Sequence, residues 1–131
     1  MNPWLDTCRA SAADIEEVLK RLPTRAEREP VAKVGEGGDE TTAIDAAAEE
    51  AVVARLAQLD ESFTLISEEL GEASFGEGGP WRVVLDPIDG SLNAKRDIPF
   101  FSLSLAVAEG PTMSDVVFGY VYDFGSREEW T

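Results

Sequence analysis

The sequence contains no histidine and one cysteine, and both shortages exclude kinds of chemistry. Without imidazole, the chain cannot assemble a histidine general base, a Ser-His-Asp triad or a histidine-ligated zinc site. The single cysteine, Cys8, excludes an internal disulfide and is typical of a reducing compartment. No apolar run is long enough to cross a bilayer, and no signal peptide is recognisable. These features predict a cytoplasmic protein.

Basic residues are also scarce, since 11 lysines and arginines are outnumbered by 26 aspartates and glutamates, for a formal net charge of −15. Such a surface repels nucleic acid and anionic membranes, so neither is an expected partner. It also repels a phosphorylated small molecule unless cations are bound first, which is compatible with a metal-dependent enzyme. For most of these charges, the simpler explanation is an acidic surface that keeps the protein soluble.

The apolar pattern predicts two amphipathic helices followed by several strands. The first helix begins at Asn2-Pro3 and ends at Pro23, and the second begins near Thr42. Residues 23–40 are charged and rich in glycine, and they predict a mobile connection or a hairpin flap. The first predicted strand contains the apolar run 63–66 and ends at Glu68, and the others are 81–85, 101–107 and 116–124. A loop is predicted at 71–80 and a short helical turn at 91–96. Helices followed by an antiparallel-leaning sheet indicate an α+β fold.

Three carboxylates near strand ends form the strongest candidate site. Glu68 ends one predicted strand, and Asp86 and Asp89 follow the next strand on one rigid turn. Carboxylate oxygens suit Mg²⁺, and two such ions can clamp the attacking and leaving oxygens of a displacement at phosphorus. The alternative is that Asp86 and Asp89 are ordinary turn formers beside proline and glycine.

Backbone amides directly follow these carboxylates. Gly90 and Ser91 offer N–H groups where a new helix begins, which is a suitable place for a phosphate group. Carboxylates that hold cations, beside donors that hold a phosphate, predict metal-assisted phosphoryl transfer to water.

These motifs resemble the inositol monophosphatase family of magnesium-dependent, lithium-sensitive phosphatases, whose superfamily includes fructose-1,6-bisphosphatases and bisphosphate nucleotidases. The segments that carry the resemblance are Glu68-Glu69, Asp86-Pro87-Ile88-Asp89-Gly90-Ser91-Leu92-Asn93 and Gly38-Asp39-Glu40-Thr41-Thr42-Ala43-Ile44-Asp45. The resemblance covers only the N-terminal half of a usual family member. It implies that residues 1–131 are one domain, the N-terminal half of the layered α/β/α/β/α sugar-phosphatase fold.

The resemblance also implies a set of metal ligands. Glu68 and Asp86 would hold a first Mg²⁺, with the Ile88 carbonyl as a further ligand, and Asp86 and Asp89 would hold a second. Glu69 accompanies the metal glutamate in a supporting role, or is a solvated strand-end carboxylate. Asp39 matches a carboxylate for a third, weakly held ion, or is an ordinary loop acid.

The implied catalytic residues are Asp45, Ser91 and Glu68. Ser91 would be hydrogen-bonded to Asp45, and together they would orient the attacking water and help to deprotonate it. Gly90 and Ser91 would bind the substrate phosphate. The alternative for Asp45 is structural, because Thr42-x-x-Asp45 resembles a capping box at a helix start.

The expected function is magnesium-dependent hydrolysis of a small phosphomonoester, either inositol monophosphate or a sugar phosphate such as fructose-1,6-bisphosphate. Bisphosphate nucleotidase and histidinol-phosphatase activities are alternatives within this class. Because a family member draws a further metal-binding aspartate from its C-terminal half, a truncated, catalytically inactive metal-binding or interaction module is the alternative from another class. A homodimer is the assembly that the resemblance suggests.

Overall fold

Two helices pack on one face of a six-stranded sheet in a computed structural model that describes residues 2–34 and 40–131. The helices and strands are α1 Pro3–Arg21, α2 Arg25–Arg28, β1 Val31–Val34, β2 Glu40–Thr42, α3 Ala43–Leu56, β3 Phe63–Ser67, β4 Gly71–Phe75, β5 Trp81–Asp89, α4 Ser91–Lys95, β6 Ser102–Ala108, β7 Val116–Asp123 and β8 Glu129–Trp130. This arrangement confirms the α+β prediction. Within the described ranges, no helix is both long and apolar enough to cross a bilayer.

The order of the sheet is β4-β3-β5-β6-β7-β8. All neighbouring pairs are antiparallel except β3 and β5, which are parallel and in register from Phe63 beside Trp81 to Ser67 beside Leu85. The carboxyl ends of β3 and β5 therefore lie at the same edge of the sheet. The residues that follow Ser67 and Leu85 are brought side by side at that edge.

The core lies between the sheet and the pair α1 and α3. Alternate residues of each strand point toward the helices, as the sequence predicts for 101–107, where Leu103, Leu105 and Val107 are buried. Phe63 is fully buried, stacks on Phe75 with ring centroids 4.8 Å apart, and meets the edge of Trp4 at 5.8 Å. Cys8 is buried on α1, and burial raises the pKa of its thiol to about 12, so it is a poor nucleophile.

The two long helices have the predicted boundaries. At the start of α1, the side chain of Asn2 accepts the backbone N–H of Trp4 at 3.0 Å, and Pro3 occupies the first helical position. α1 stops before Pro23, and α3 begins immediately after Thr42. The segment between them contains the short helix α2, which the sequence analysis missed, and an antiparallel β1–β2 pair that confirms the hairpin. The predicted metal-binding Asp39 lies outside the described residues.

Two strand predictions were wrong. Residues 71–75 form the edge strand β4 rather than a loop, since their backbone pairs with β3 and Phe75 stacks on Phe63. The strand predicted at 81–85 continues through Pro87 to Asp89, with a shift in its pairing to β6 between Asp86 and Asp89. A proline is tolerated at such an irregularity because no ladder hydrogen bond is required of it there.

Arg28 connects α2 to α1 and α4, although no sequence pattern identified it. Its guanidinium is buried and donates to the backbone carbonyls of Leu19, Leu22 and Ala94, and it lies 3.4 Å from a carboxylate oxygen of Asp97. The last carbonyls of a helix lie at the negative end of its dipole, so the buried guanidinium stabilises the ends of both α1 and α4.

Replacing Phe63 with alanine should destabilise the fold strongly. The substitution leaves a cavity between Trp4 and Phe75, and we expect a loss of about 3–5 kcal/mol in the free energy of unfolding. Urea denaturation followed by tryptophan fluorescence measures it. The matched control is Phe100→Ala, because Phe100 is 74% exposed; its effect should stay within about 0.5 kcal/mol. Equal effects of the two substitutions would contradict the assignment of Phe63 to the core.

Candidate active site

The parallel pairing of β3 and β5 sets the position of the predicted carboxylates. Glu68 directly follows Ser67, and Asp86 directly follows Leu85, whose backbones are paired. Glu68 is exposed, Asp86 is half-buried, and Asp89 is exposed at the end of β5. The structure thus brings the three predicted metal ligands to one edge of the sheet.

Asp86 is in an unfavourable electrostatic environment. Burial, followed by the negative charges of Glu68 and Asp89, raises the pKa of Asp86 to about 7. Its Oδ1 atom is buried and has no hydrogen-bond partner among the described residues. A buried carboxylate oxygen without a donor costs free energy, and a cation would remove that cost. The chemistry of Asp86 therefore fits a metal ligand.

The carboxylates do not yet converge into a complete metal site. In residues 2–34 and 40–131, no group of three or more histidine, cysteine, aspartate or glutamate side chains is arranged to hold a metal ion. Glu68 and Asp89 are solvated, and like charges favour separation of such groups. The described residues thus provide an unsatisfied ligand atom and two acidic neighbours, rather than a closed coordination shell.

The predicted pair Asp45 and Ser91 is hydrogen-bonded. The Ser91 hydroxyl lies 2.8 Å from Asp45 Oδ1 and 3.1 Å from the carbonyl oxygen of Ile88, and it can donate to either. The Asp45 side chain is buried near the start of α3. Because its single proton is directed toward these acceptors, the Ser91 oxygen keeps lone pairs that can accept a hydrogen from another molecule.

The structural alternative for Asp45 needs correction. Thr42 is the N-cap of α3, but its side chain makes no hydrogen bond to the helix backbone. Instead, Thr42 Oγ1 donates to Asp45 Oδ2 at 2.6 Å. The two oxygens of Asp45 are therefore held by Thr42 on one side and approached by Ser91 on the other. This pairing fixes the orientation of the carboxylate and leaves no capping box at this helix start.

Gly90 allows the turn between β5 and α4. Its φ is +99°, in the left-handed region, and a Cβ there would lie 3.1 Å from the carbonyl oxygen of Phe100. Asn93 closes the same turn by donating from Nδ2 to that oxygen at 2.9 Å. A residue with a side chain would push the turn away from Phe100 and move Ser91. Asn93 therefore helps to fix this turn.

Two further glutamates lie at the turn after β3: Glu69 is part of this turn, and Glu49 contacts it from α3. Thr41 donates its hydroxyl hydrogen to Glu69 Oε2, and burial followed by nearby carboxylates raises the pKa of Glu69. The sequence analysis missed Glu49, which is buried and accepts from Ser67 Oγ at 2.6 Å. The available signal was its position four residues after Asp45, on the same face of α3.

A pocket of about 320 Å³ adjoins Asp89 and Gly90. Its apolar lining includes Phe100, Phe101 and Trp130. The size would suit a small organic group next to a phosphate.

Comparisons with known proteins bear on the family to which the chain belongs. The model of the inositol monophosphatase family matches residues 3–131. A fructose-1,6-bisphosphatase/inositol-1-monophosphatase from Archaeoglobus fulgidus is 39% identical over 127 residues, covering 95% of this chain and 48% of the relative. A Nus factor SuhB from Pseudomonas aeruginosa is 34% identical over 135 residues, covering 100% of this chain and 47% of the relative.

A solved structure supports the same conclusion about the fold. The crystal structure of an inositol monophosphatase-fructose 1,6 bisphosphatase superposes with a TM-score of 0.81 at 30% identity, covering 99% of this chain and 49% of that one. The fold is thus that of the sugar-phosphatase class. The chain belongs to the inositol monophosphatase family. It spans about half the length of the curated relatives that it matches.

The raised pKa of Asp86 predicts a specific pH dependence of stability. Because the folded chain binds this proton more tightly than the unfolded chain, the contribution of Asp86 is most favourable below about pH 4 and is lost as the pH rises toward about 7. In EDTA, Asp86→Asn should therefore stabilise the fold increasingly over this range, by about 1–2 kcal/mol at pH 8 after allowance for solvent screening.

Urea unfolding at several pH values measures this difference. Asp60→Asn serves as the control because Asp60 is exposed after α3, and its effect should not change over the same range. A pH-independent difference between Asp86→Asn and the unsubstituted chain would show that Asp86 carries no unusual proton affinity.

Proposed function

We propose that this chain carries the metal-binding and water-activating half of a magnesium-dependent phosphomonoesterase. The observation that carries the proposal is the buried Asp45 carboxylate hydrogen-bonded to Ser91, on the turn that follows Asp86 and Asp89. The names of the archaeal relatives support phosphatase chemistry, with inositol phosphate and fructose-1,6-bisphosphate as the first substrates to examine. Because the chain spans about half of those relatives, the activity of the whole protein is part of the proposal.

The proposed ligands for Mg²⁺ are the carboxylates of Glu68, Asp86 and Asp89 with the carbonyl oxygen of Ile88. The unpartnered Asp86 Oδ1 supports this assignment. When bound there, Mg²⁺ would neutralise phosphate charge and make water more acidic. The net charge of −15 is a second reason to propose a bound cation, since an anionic substrate is repelled by such a surface unless a cation compensates the negative charge of the protein.

Ser91 and Asp45 would move the proton of the attacking water. The water donates a hydrogen to Ser91 Oγ while the Ser91 hydroxyl proton passes to Asp45 Oδ1, 2.8 Å away. The water oxygen then bonds to phosphorus, the P–O bond to the alcohol breaks, and the alcohol oxygen takes a proton from solvent. The proton held by Asp45 is released to solvent, which restores the carboxylate for the next turnover. Thr42, bonded to the second Asp45 oxygen, keeps the carboxylate aimed at Ser91 during this exchange.

The phosphate would lie against the backbone amides of Gly90 and Ser91 at the start of α4. The start of a helix favours this position, because its first backbone N–H groups have no carbonyl partner within the helix. The neighbouring pocket would receive the alcohol part of the substrate. Arg96 is exposed just after α4 and fits a solvated helix end.

The second candidate is a catalytically inactive interaction module of the same family. Two observations favour it: the described carboxylates do not form a closed metal shell, and one relative that covers the whole chain is named as a Nus factor. The two candidates differ in one measurable property, which is magnesium-dependent release of phosphate.

Phosphate release from inositol-1-phosphate and fructose-1,6-bisphosphate, with and without Mg²⁺, tests the proposal directly. We expect hydrolysis only with Mg²⁺, and at least a 10²-fold loss on Asp89→Asn, on the order of the loss for a displaced catalytic group. Asp6→Asn, an exposed substitution on α1, should retain the activity. A folded chain that hydrolyses neither substrate with Mg²⁺ would favour the interaction module.

Ser91→Ala and Asp45→Asn should each lower kcat by about 10²–10⁴-fold with a much smaller change in KM, since both remove the proton acceptor rather than the phosphate contacts. The double variant should be little worse than either single variant, because the two groups act as one unit. Steady-state kinetics measure both effects, with Asp60→Asn as the control. Additive losses would show that Ser91 and Asp45 do not share a proton path.

A further inference from the structure

Glu49 occupies a position that the proposed chemistry does not use directly. The three residues Glu68, Glu69 and Leu70 form the turn between β3 and β4. A single oxygen of Glu49, Oε2, accepts the hydroxyl of Ser67 at 2.6 Å and the backbone N–H of Leu70 at 3.0 Å. Glu49 therefore contacts the residue before Glu68 and the residue after Glu69.

Burial makes these two contacts costly to lose. Glu49 and Ser67 are each 5% exposed. A buried carboxylate needs hydrogen-bond donors to compensate for its lost hydration. The Ser67 hydroxyl and the Leu70 amide therefore fix the position of the Glu49 carboxylate, and loss of either bond would cost free energy. The bonds connect the middle of α3 to the turn, and they restrict where Glu68 can lie relative to Asp86.

One face of α3 thereby reaches both turns of the site. Asp45 contacts the turn after β5 through Ser91, and Glu49, one helical turn later, contacts the turn after β3. Glu68 itself is exposed in this turn. Without a contact to the helix, the β3–β4 turn would be free to move Glu68 outward into solvent.

We propose that Glu49 is a positioning residue that holds the β3–β4 turn so that Glu68 stays beside Asp86 for cation binding. The proposal deepens the proposed function and rests on it. Removal of a group that hydrogen-bonds to metal ligands and orients them typically lowers metal affinity by about 10- to 100-fold.

The test uses the substitutions Glu49→Ala, Glu49→Gln and Glu50→Gln in the full chain, with Mg²⁺ affinity measured by calorimetry. Glu49→Ala should weaken binding by about 10- to 100-fold. Glu49→Gln should remain close to the original affinity, because an amide oxygen can accept both hydrogen bonds. Glu50→Gln removes the same charge from an exposed neighbour and should change nothing. A folded Glu49→Ala variant with unchanged Mg²⁺ affinity would overturn the proposal.

Hydrogen exchange in EDTA supplies an independent measurement without metal. The Leu70 amide should exchange faster in Glu49→Ala but not in Glu49→Gln, while the amide of Leu105 in the central strand β6 reports global opening.

If Glu49→Ala does not fold, Ser67→Ala removes one of the two bonds and should show a smaller loss of Mg²⁺ affinity. Absence of Mg²⁺ binding by the unsubstituted chain would contradict the proposed function. Unchanged Leu70 exchange in Glu49→Ala would contradict the positioning role itself.

Discussion

The parallel pairing of β3 with β5 is the constraint on which the site depends. It is the only parallel pair among the described strands, and it places the carboxyl ends of two strands at one edge of an otherwise antiparallel sheet. A shift of one residue in this register would turn Glu68 or Asp86 to the opposite face of the sheet. The buried residues Phe63, Leu65, Val83 and Leu85 favour this register, because a shift of one residue would turn them away from the core.

This arrangement places acidic residues together at a cost that the rest of the fold must tolerate. The cost is visible at Asp86, whose pKa is raised to about 7, and at Glu69, whose pKa is also raised. Natural sequences accept such local conflicts mainly at functional sites, where stability is exchanged for a group that binds or reacts. A core of two helices on a continuous sheet provides the stability that allows it.

Much of this architecture could be predicted from the sequence, and the failures have physical causes. The periodicity of apolar residues located both long helices and the central strands, because burial on one face is what that periodicity records. The same signal failed at residues 71–75, where an edge strand pairs through its backbone and buries little besides Phe75. It also failed at Pro87, where the continuation of β5 depends on its pairing with β6 rather than on local preference.

The site residues show a similar division. The motif that contains Asp86, Asp89 and Ser91 could be recognised in the sequence because its residues are close together in the chain. The supporting contacts of Glu49 and Arg28 were not, since each joins segments far apart in sequence, as in the bonds from Glu49 to Ser67 and from Arg28 to Ala94. Such contacts become apparent only when the packing of the helices on the sheet is known.

Hydrogen bonding distinguishes Asp45 and Glu49, which have donors within the chain, from Asp86, which has an oxygen without one. Asp45 and Glu49 are both buried, and each is stabilised by donors from the chain: Thr42 and Ser91 for Asp45, and Ser67 and Leu70 for Glu49. Asp86 has a buried oxygen that none of the described residues supplies with a donor. A cation at Asp86 would give Oδ1 a partner and would also offset the negative charges of Glu68 and Asp89. The contrast among these three carboxylates therefore supports the proposed cation ligand at Asp86 and the proposed supporting roles of the α3 residues.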